Sequence, residues 1–389
     1  MKYMWMILFM VLPVLAIVYI SWHVWVLLPI DKVWRVLIIA LGVGSFLMMF
    51  LNFGRRFDSL SLPVAKICYE ISTSSVFVML YLFMLFLVLD FGRLVRLVPR
   101  SLLYANGWTA VTILVLMVGI FAYGNIHYND KVRVELELAT DKPLPHDYKI
   151  VMASDLHLGY HNPRKELARW VDMINAEQPD FILIAGDVID GSMRPLIEER
   201  MADEFHRLKA PVYACLGNHE YFSGSPEAQQ FFSDAGIRLL IDEAADIDSS
   251  IVIIGRDDRM NMRRKPIADI YHPLSTLHYP PSTFHHPPST IHHPPFTIHH
   301  PPFTILLDHQ PYNLDRTEKA GVDFQLSGHT HRGQVWPISW ITDRIYECSW
   351  GSHRRGHTRY YVSSGLGIWG GKFRIGTQSE YVVATLRAK

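Results

Sequence analysis

Residues 153–157, Ala153-Ser154-Asp155-Leu156-His157, decide how this chain folds. A β-rich run, Tyr148-Lys149-Ile150-Val151-Met152, leads into them, and Gly159 and His161-Asn162-Pro163 turn the chain afterwards. That context predicts Asp155 and His157 at the carboxyl end of a buried strand, where open α/β sheets carry their sites. Two such side chains, two residues apart, can face one metal ion. A single Asp-x-His is a weak signal, and its meaning rests on the rest of the chain.

The pattern returns four times downstream. The apolar run 181–185 ends in Gly186-Asp187-Val188-Ile189-Asp190, and the run 212–216 ends in Gly217-Asn218-His219-Glu220. The run 303–307 ends in Asp308-His309, and the run 324–326 leads to Gly328-His329-Thr330-His331. A capping Asp, a turn Asn or a core histidine would explain any one of these; five in succession, each on a buried strand, point to one site. The donors are carboxylate, amide oxygen and imidazole without cysteine, which suits Mn²⁺, Fe or Zn²⁺ better than a structural zinc. Glycine before the donor lets the backbone turn sharply and approach an ion or a phosphate. Between these strands, Leu167, Trp170, Val171 and Ile174 have helical spacing, and 198–208 and 227–235 also read as helices. With further strands at 250–254, 360–363 and 381–386, the order predicts an α/β fold with mixed sheets.

The chain has 389 residues, more than one ordinary domain. Lysine plus arginine (37) balances aspartate plus glutamate (37), so nothing suggests a nucleic-acid partner. Cys68, Cys215 and Cys348 are too few and scattered for a disulfide framework. Hydrophobic residues make up 49% against 19% charged, and the excess sits in the first third. Apolar runs at 5–28 and 33–51, and two more around 75–89 and 110–123, predict four transmembrane helices. Basic residues divide six against five between the two sides, which leaves orientation open. Arg93, Arg96 and Arg100 with Asp90 read as interfacial anchors, with a phosphate-binding rim as the alternative. The organisation expected is a transmembrane region at 1–126, a linker and leading strand at 127–147, and a catalytic domain at 148–389. Since every proposed ligand lies beyond Ala153, the helices read as an anchor from which the catalytic domain is separable.

Asp-x-His, Gly-Asp, Gly-Asn-His-Glu, a lone His and then Gly-His-x-His, in that order, resemble the calcineurin-like metallophosphoesterases. The resemblance runs from about Tyr148 to the carboxyl terminus. Ser364-Gly365-Leu366-Gly367, Phe373-Arg374-Ile375-Gly376 and Glu380 are similar to the bacterial YkuE/YaeI-type branch. Arg332 departs from the glycine usual there. The resemblance implies two stacked mixed β-sheets flanked by helices, and two divalent metal ions. Asp155, His157 and His331 would hold the first, Asn218, His309 and His329 the second, and Asp187 would bridge them. His219 would stabilise phosphoryl charge or protonate the leaving oxygen. Glu220 or Asp190 would orient a histidine from behind.

With that resemblance, the expectation is a multi-pass protein of the bacterial inner membrane that hydrolyses a phosphodiester or pyrophosphate bond. Two ions about 3.5–4 Å apart could clamp the attacking and leaving oxygens, and a shared water with a pKa lowered toward about 7 would serve as the nucleophile. The membrane region makes a lipid-linked phosphoester substrate the natural partner. A phosphomonoesterase or phosphoprotein phosphatase, and a non-enzymatic metal-containing membrane sensor or scaffold, are the alternatives. Arg344, Arg354, Arg355 and Arg359, near Trp350 and His353, read as a solvated basic loop, with substrate binding as the alternative. From 272 to 306 a His/Pro heptad repeats, an insertion placed at 272–302. Its prolines suit extended chain, so it reads as a looped-out spacer; the alternative is an accessory metal-binding tract.

Overall fold

The computed structural model describes residues 2–271 and 301–389. The insertion placed at 272–302 lies outside the described residues apart from its final Pro301-Pro302.

Twelve strands are described: β1 Lys131–Thr140, β2 Tyr148–Ala153, β3 Phe181–Ala185, β4 Val212–Cys215, β5 Arg238–Leu239, β6 Glu243–Asp246, β7 Ile251–Gly255, β8 Phe303–Leu307, β9 Phe324–Ser327, β10 Gly351–Arg355, β11 Thr358–Val362 and β12 Ser379–Ala388. They form two six-stranded sheets, ordered β1-β12-β2-β3-β4-β5 and β10-β11-β9-β8-β7-β6. Both are mixed: β2, β3, β4 and β5 run parallel, as do β7, β8, β9 and β11, while β12 is antiparallel to β2 and β6 to β7.

Strand alternation sorts the cores. Ile150 and Met152 of β2 and Leu183 of β3 point between the sheets, where they meet Ile251, Ile253, Ile305 and Leu307. Their neighbours Val151, Ala153, Ile182 and Ile184 point outward to the helix Arg164–Ala176, which returns Leu167, Trp170, Val171 and Ile174. A strand buried on both faces carries no polar residue on either, which explains the unbroken apolar runs. The expected helix over 198–208 is instead two short helices, Arg194–Glu198 and Ala202–Phe205.

Among the described residues, three helices are long and apolar enough to cross a membrane, over Lys32–Asn52, Leu62–Leu94 and Gly107–Asn129. The described stretch Val11–Leu27 of the first helix, Lys2–Leu27, is apolar as well.

These helices are not a detached anchor. Phe57, Ala65 and Tyr69 pack on Tyr160, and Phe77, Tyr81 and Met117 pack on Val335. Arg194 Nη1 donates to the carbonyls of Asp58 (2.9 Å) and Leu60 (2.5 Å) and pins the loop ahead of Leu62–Leu94. Tyr128, buried near the end of Gly107–Asn129, donates to Asn162 (2.8 Å) and Glu166 (2.6 Å), and Glu166 also pairs with Lys372 at 2.6 Å. The separability expected above does not fit an interface built of buried hydrogen bonds, because cutting it strands polar groups.

Candidate metal centre

The carboxyl ends of β2, β3 and β4 in one sheet and of β8 and β9 in the other deliver side chains to one place. The turn off each strand is tight. Asp155, His157, Asp187, His329 and His331 all have left-handed backbones, with φ of 53°, 45°, 52°, 70° and 47°. Such conformations cost about 1–3 kcal/mol each in non-glycine residues, and they cluster where a site over-determines the backbone. Gly186 has φ 77°, and a Cβ there would lie 2.8 Å from the Gly217 nitrogen and from the His309 ring. Only glycine fits between the two sheets at that point.

The donor atoms converge in three overlapping groups: Asp155, His157 and His331; His157, Asp187 and His219; and Asp187, His309 and His329. The Nε2 atoms of His157 and His331 are 3.1 Å apart, and Asp155 Oδ1 is 3.8 and 3.5 Å from them. Asp187 Oδ2 lies 3.7 Å from His157 Nε2 and 3.1 Å from His309 Nε2. His329 Nδ1 is 2.8 Å from Asn218 Oδ1. Asp187 thus sits between two sets of nitrogens. His309 Nε2 is buried without a hydrogen bond, and its Nδ1 is held at 2.7 Å by the Ala185 carbonyl. An imidazole fixed through one nitrogen, with the other buried and facing a carboxylate, suits a metal ligand.

Residues 148–333 match the family described as calcineurin-like phosphoesterase. The chain carries a calcineurin-like phosphoesterase domain. A metallophosphoesterase of Campylobacter jejuni is 28% identical over 282 residues, which cover 71% of this chain and 69% of that protein. One from Aquifex aeolicus is 29% identical over 282 residues, covering 70% of this chain and 98% of its own. A transmembrane protein with metallophosphoesterase domain from Danio rerio is 28% identical over 384 residues, covering 92% and 81%, so that similarity extends through the helices. The domain is accordingly that of a metal-dependent phosphoric ester hydrolase.

Behind these donors, Asp190 and Glu220 take different tasks. Asp190 Oδ1 lies 3.3 Å from His157 Nδ1 and 3.5 Å from His219 Nδ1, so it faces both histidines. Glu220 orients no histidine; it accepts from the backbone amides of Asp187 (3.1 Å), Ile189 (2.9 Å) and Gly217 (2.7 Å) and ties two strand ends together. Asn162 Nδ2 donates to the His157 carbonyl at 3.0 Å, and Arg374, fully buried, donates to the His331 carbonyl at 2.8 Å. Both residues stood in quoted stretches of sequence, but buried backbone contacts leave no periodic trace. Tyr69 has no sequence signal of this role at all. It lies on a candidate span, yet it donates to Asp190 Oδ2 at 2.7 Å and stacks on His161.

The charges are strongly coupled. Burial pushes the Asp155 carboxyl up. Burial also opposes ionisation of Asp187, but the surrounding His309, His219 and His157 hold it well below the usual carboxylate range. Burial brings His329 down to about 3 and holds His331 low as well, so both present the neutral imidazole a metal requires. His309 is the exception: Asp187 overrides burial and favours its proton, so a metal would compete with that proton. The donor set fits divalent cations.

Beside the site lies a cavity of about 330 Å³. His219, Tyr160, Phe222 and Trp369 line it from the phosphoesterase domain, and Asn52 and Arg55 line it from the membrane region. The Arg55 guanidinium donates to the Phe222 carbonyl at 2.6 Å. By contrast, Arg355 lies on β10 and Arg359 on β11 and not on a loop; Arg355 pairs with Glu318 and Glu347, each at 2.8 Å, and Arg359 donates to the Glu137 carbonyl. Arg332, with φ 48°, stacks 4.2 Å over Trp350; its left-handed backbone is one that glycine adopts freely.

Proposed function

We propose that this protein hydrolyses a phosphodiester or pyrophosphate bond with two divalent ions, Mn, Fe or Zn. Asp155, His157 and His331 hold one, Asn218, His309 and His329 hold the other, and Asp187 bridges them. The observation that carries the reading is the position of Asp187, 3.1 Å from the buried His309 Nε2 and 3.7 Å from His157 Nε2. When bound, the ions supply Lewis acidity to the phosphoryl oxygens and to the attacking water. His219 faces the cavity with its Nδ1 on the Asp190 carbonyl, which aims its other nitrogen at the leaving oxygen. The cavity gives the second ester group a place, which favours a diester or pyrophosphate over a monoester.

Helix residues in the cavity wall support a lipid-linked substrate. The first helix, Lys2–Leu27, makes a fourth crossing, and the relatives from Campylobacter and Aquifex support a bacterial inner membrane. The division at 126 and 147 places β1 outside the catalytic unit; its pairing with β12 supports counting it within.

The test is Asp187→Asn in the full chain, with metal content and bis(p-nitrophenyl) phosphate turnover both measured. Both should fall, turnover by more than the roughly 10–100-fold typical of losing an outer partner. Full activity with two ions bound refutes the bridge.

A further inference from the structure

Helix Ile338–Ile345 belongs to the phosphoesterase domain, yet it turns apolar side chains outward. Trp340, Ile341 and Ile345 are 64%, 56% and 60% exposed, and Trp336 just before the helix is 41% exposed. On a water-soluble surface such a contiguous patch is costly. The other face of the segment is docked against the membrane region: Tyr81 donates to the Trp336 carbonyl at 2.6 Å, and Val335 packs with Phe77, Tyr81 and Met117.

The depth of this contact follows from the sequence of Leu62–Leu94. Lys66, Glu70 and the run 72–75 are polar, and the side chains from Val76 to Leu89 are apolar or aromatic. Tyr81 lies five residues past Val76, ~8 Å at 1.5 Å per residue. The neighbouring span agrees. Leu114, Val115, Val118 and Ile126 of Gly107–Asn129 are exposed apolar residues, and between that span and the domain runs a groove of about 780 Å³ lined by Tyr81, Val115, Gly119, Tyr123, Trp336 and Ile375. The exposed face of Ile338–Ile345 therefore continues the lipid-facing surface of the spans.

We propose that Ile338–Ile345, with Trp336, is inserted into the bilayer leaflet beside the spans, its apolar face in hydrocarbon and acyl chains in the groove. Interfacial helices bury their apolar face about 5–10 Å into that boundary, the depth reached here. Trp336 and Trp340 supply the aromatic side chains favoured there. Arg344 lies between Trp340 and Ile345 and reaches the headgroups along its own methylene stem. Asp343 is exposed too, and one of its oxygens accepts a bond from Ser349 of the domain, which ties that carboxylate to the polar side of the boundary. The helix is followed by Tyr346, whose ring is 6.4 Å from that of His329, so insertion sets the mouth of the candidate metal centre at the level of the lipid headgroups.

The test is nitroxide labelling of the full chain in phosphatidylglycerol–phosphatidylethanolamine vesicles, with Cys68→Ser as background. Labels at Trp340→Cys and, separately, Ile345→Cys are compared with Val118→Cys on a span and His357→Cys on the far edge of the domain. Both helix labels should be relaxed by oxygen and lose relaxation by a water-soluble nickel chelate, as at position 118. Nickel access like that at position 357 overturns the proposal. Shielding from both agents also overturns it, because protein and not lipid would then cover the face. Neither result depends on catalysis, and the two exposed positions give independent readings if one variant folds poorly.

Discussion

Tyr69→Phe isolates the link between the membrane region and the chemistry. The change deletes one hydroxyl from a fully buried ring and leaves its stacking on His161 in place. It leaves Asp190 Oδ2 without its 2.7 Å donor, while Oδ1 continues to face His157 and His219. An unsatisfied buried acceptor costs about 1–3 kcal/mol. If that cost falls on the orientation of Asp190, it corresponds to roughly 5- to 150-fold in turnover. The assay is bis(p-nitrophenyl) phosphate hydrolysis by full-length protein in detergent, at saturating Mn²⁺ and across pH, with metal affinity measured alongside. The kcat should fall and its pH profile should move, because Asp190 faces the two histidines. Turnover within twofold of the parent, with an unshifted profile, would refute the claim that a membrane helix positions this carboxylate.

His219→Ala should keep both ions while turnover drops roughly 10²–10⁴-fold, the range for a positioned acid–base group; loss of an ion in that variant would make His219 a ligand. Burial opposes the charge of Glu166, but Lys372 and Lys131 hold its carboxyl below the usual range, so the folded state favours the ionised form. The stability it adds is present above the unfolded value near 4.5 and disappears as pH falls through the lower folded value. Glu166→Gln should therefore lower the thermal midpoint at neutral pH and converge on the parent as pH falls past the lowered folded value, checked by melting curves over pH.

The catalytic half was legible because its strands are buried on both faces and end in chemistry. β3 and β8 have no exposed residue, so their apolar runs stand out, and Asp187 and His309 follow them directly. β5, with two residues, and the edge strand β10, with alternating exposure, have no comparable pattern and were not anticipated. The outer layer of the site was hidden for another reason. Tyr69 lies 121 residues from Asp190, and a tyrosine in an apolar helix reads as a membrane residue until its hydroxyl is seen donating into the domain. The same distance in sequence hid the packing of the helices on the phosphoesterase domain, since apolar spacing reports that a face is buried but not what buries it. Left-handed backbone at five donor positions is likewise invisible in residues other than glycine.

The order β1-β12-β2 has a consequence for how the protein is made. β1 leaves the last membrane helix and touches the first sheet only through β12, along ten paired residues. While the ribosome is still making residues up to Ser379, β1 has no partner in that sheet, and the helices before it have already been handed to the membrane. Closing the sheet is thus a late event in synthesis, and it joins the last-made strand to the segment nearest the bilayer. Since β1 and β12 run parallel, a pull on β1 along its axis from the membrane loads all ten pairs in shear together and does not peel them one at a time. The seam that completes the domain is also the one that bears its tether.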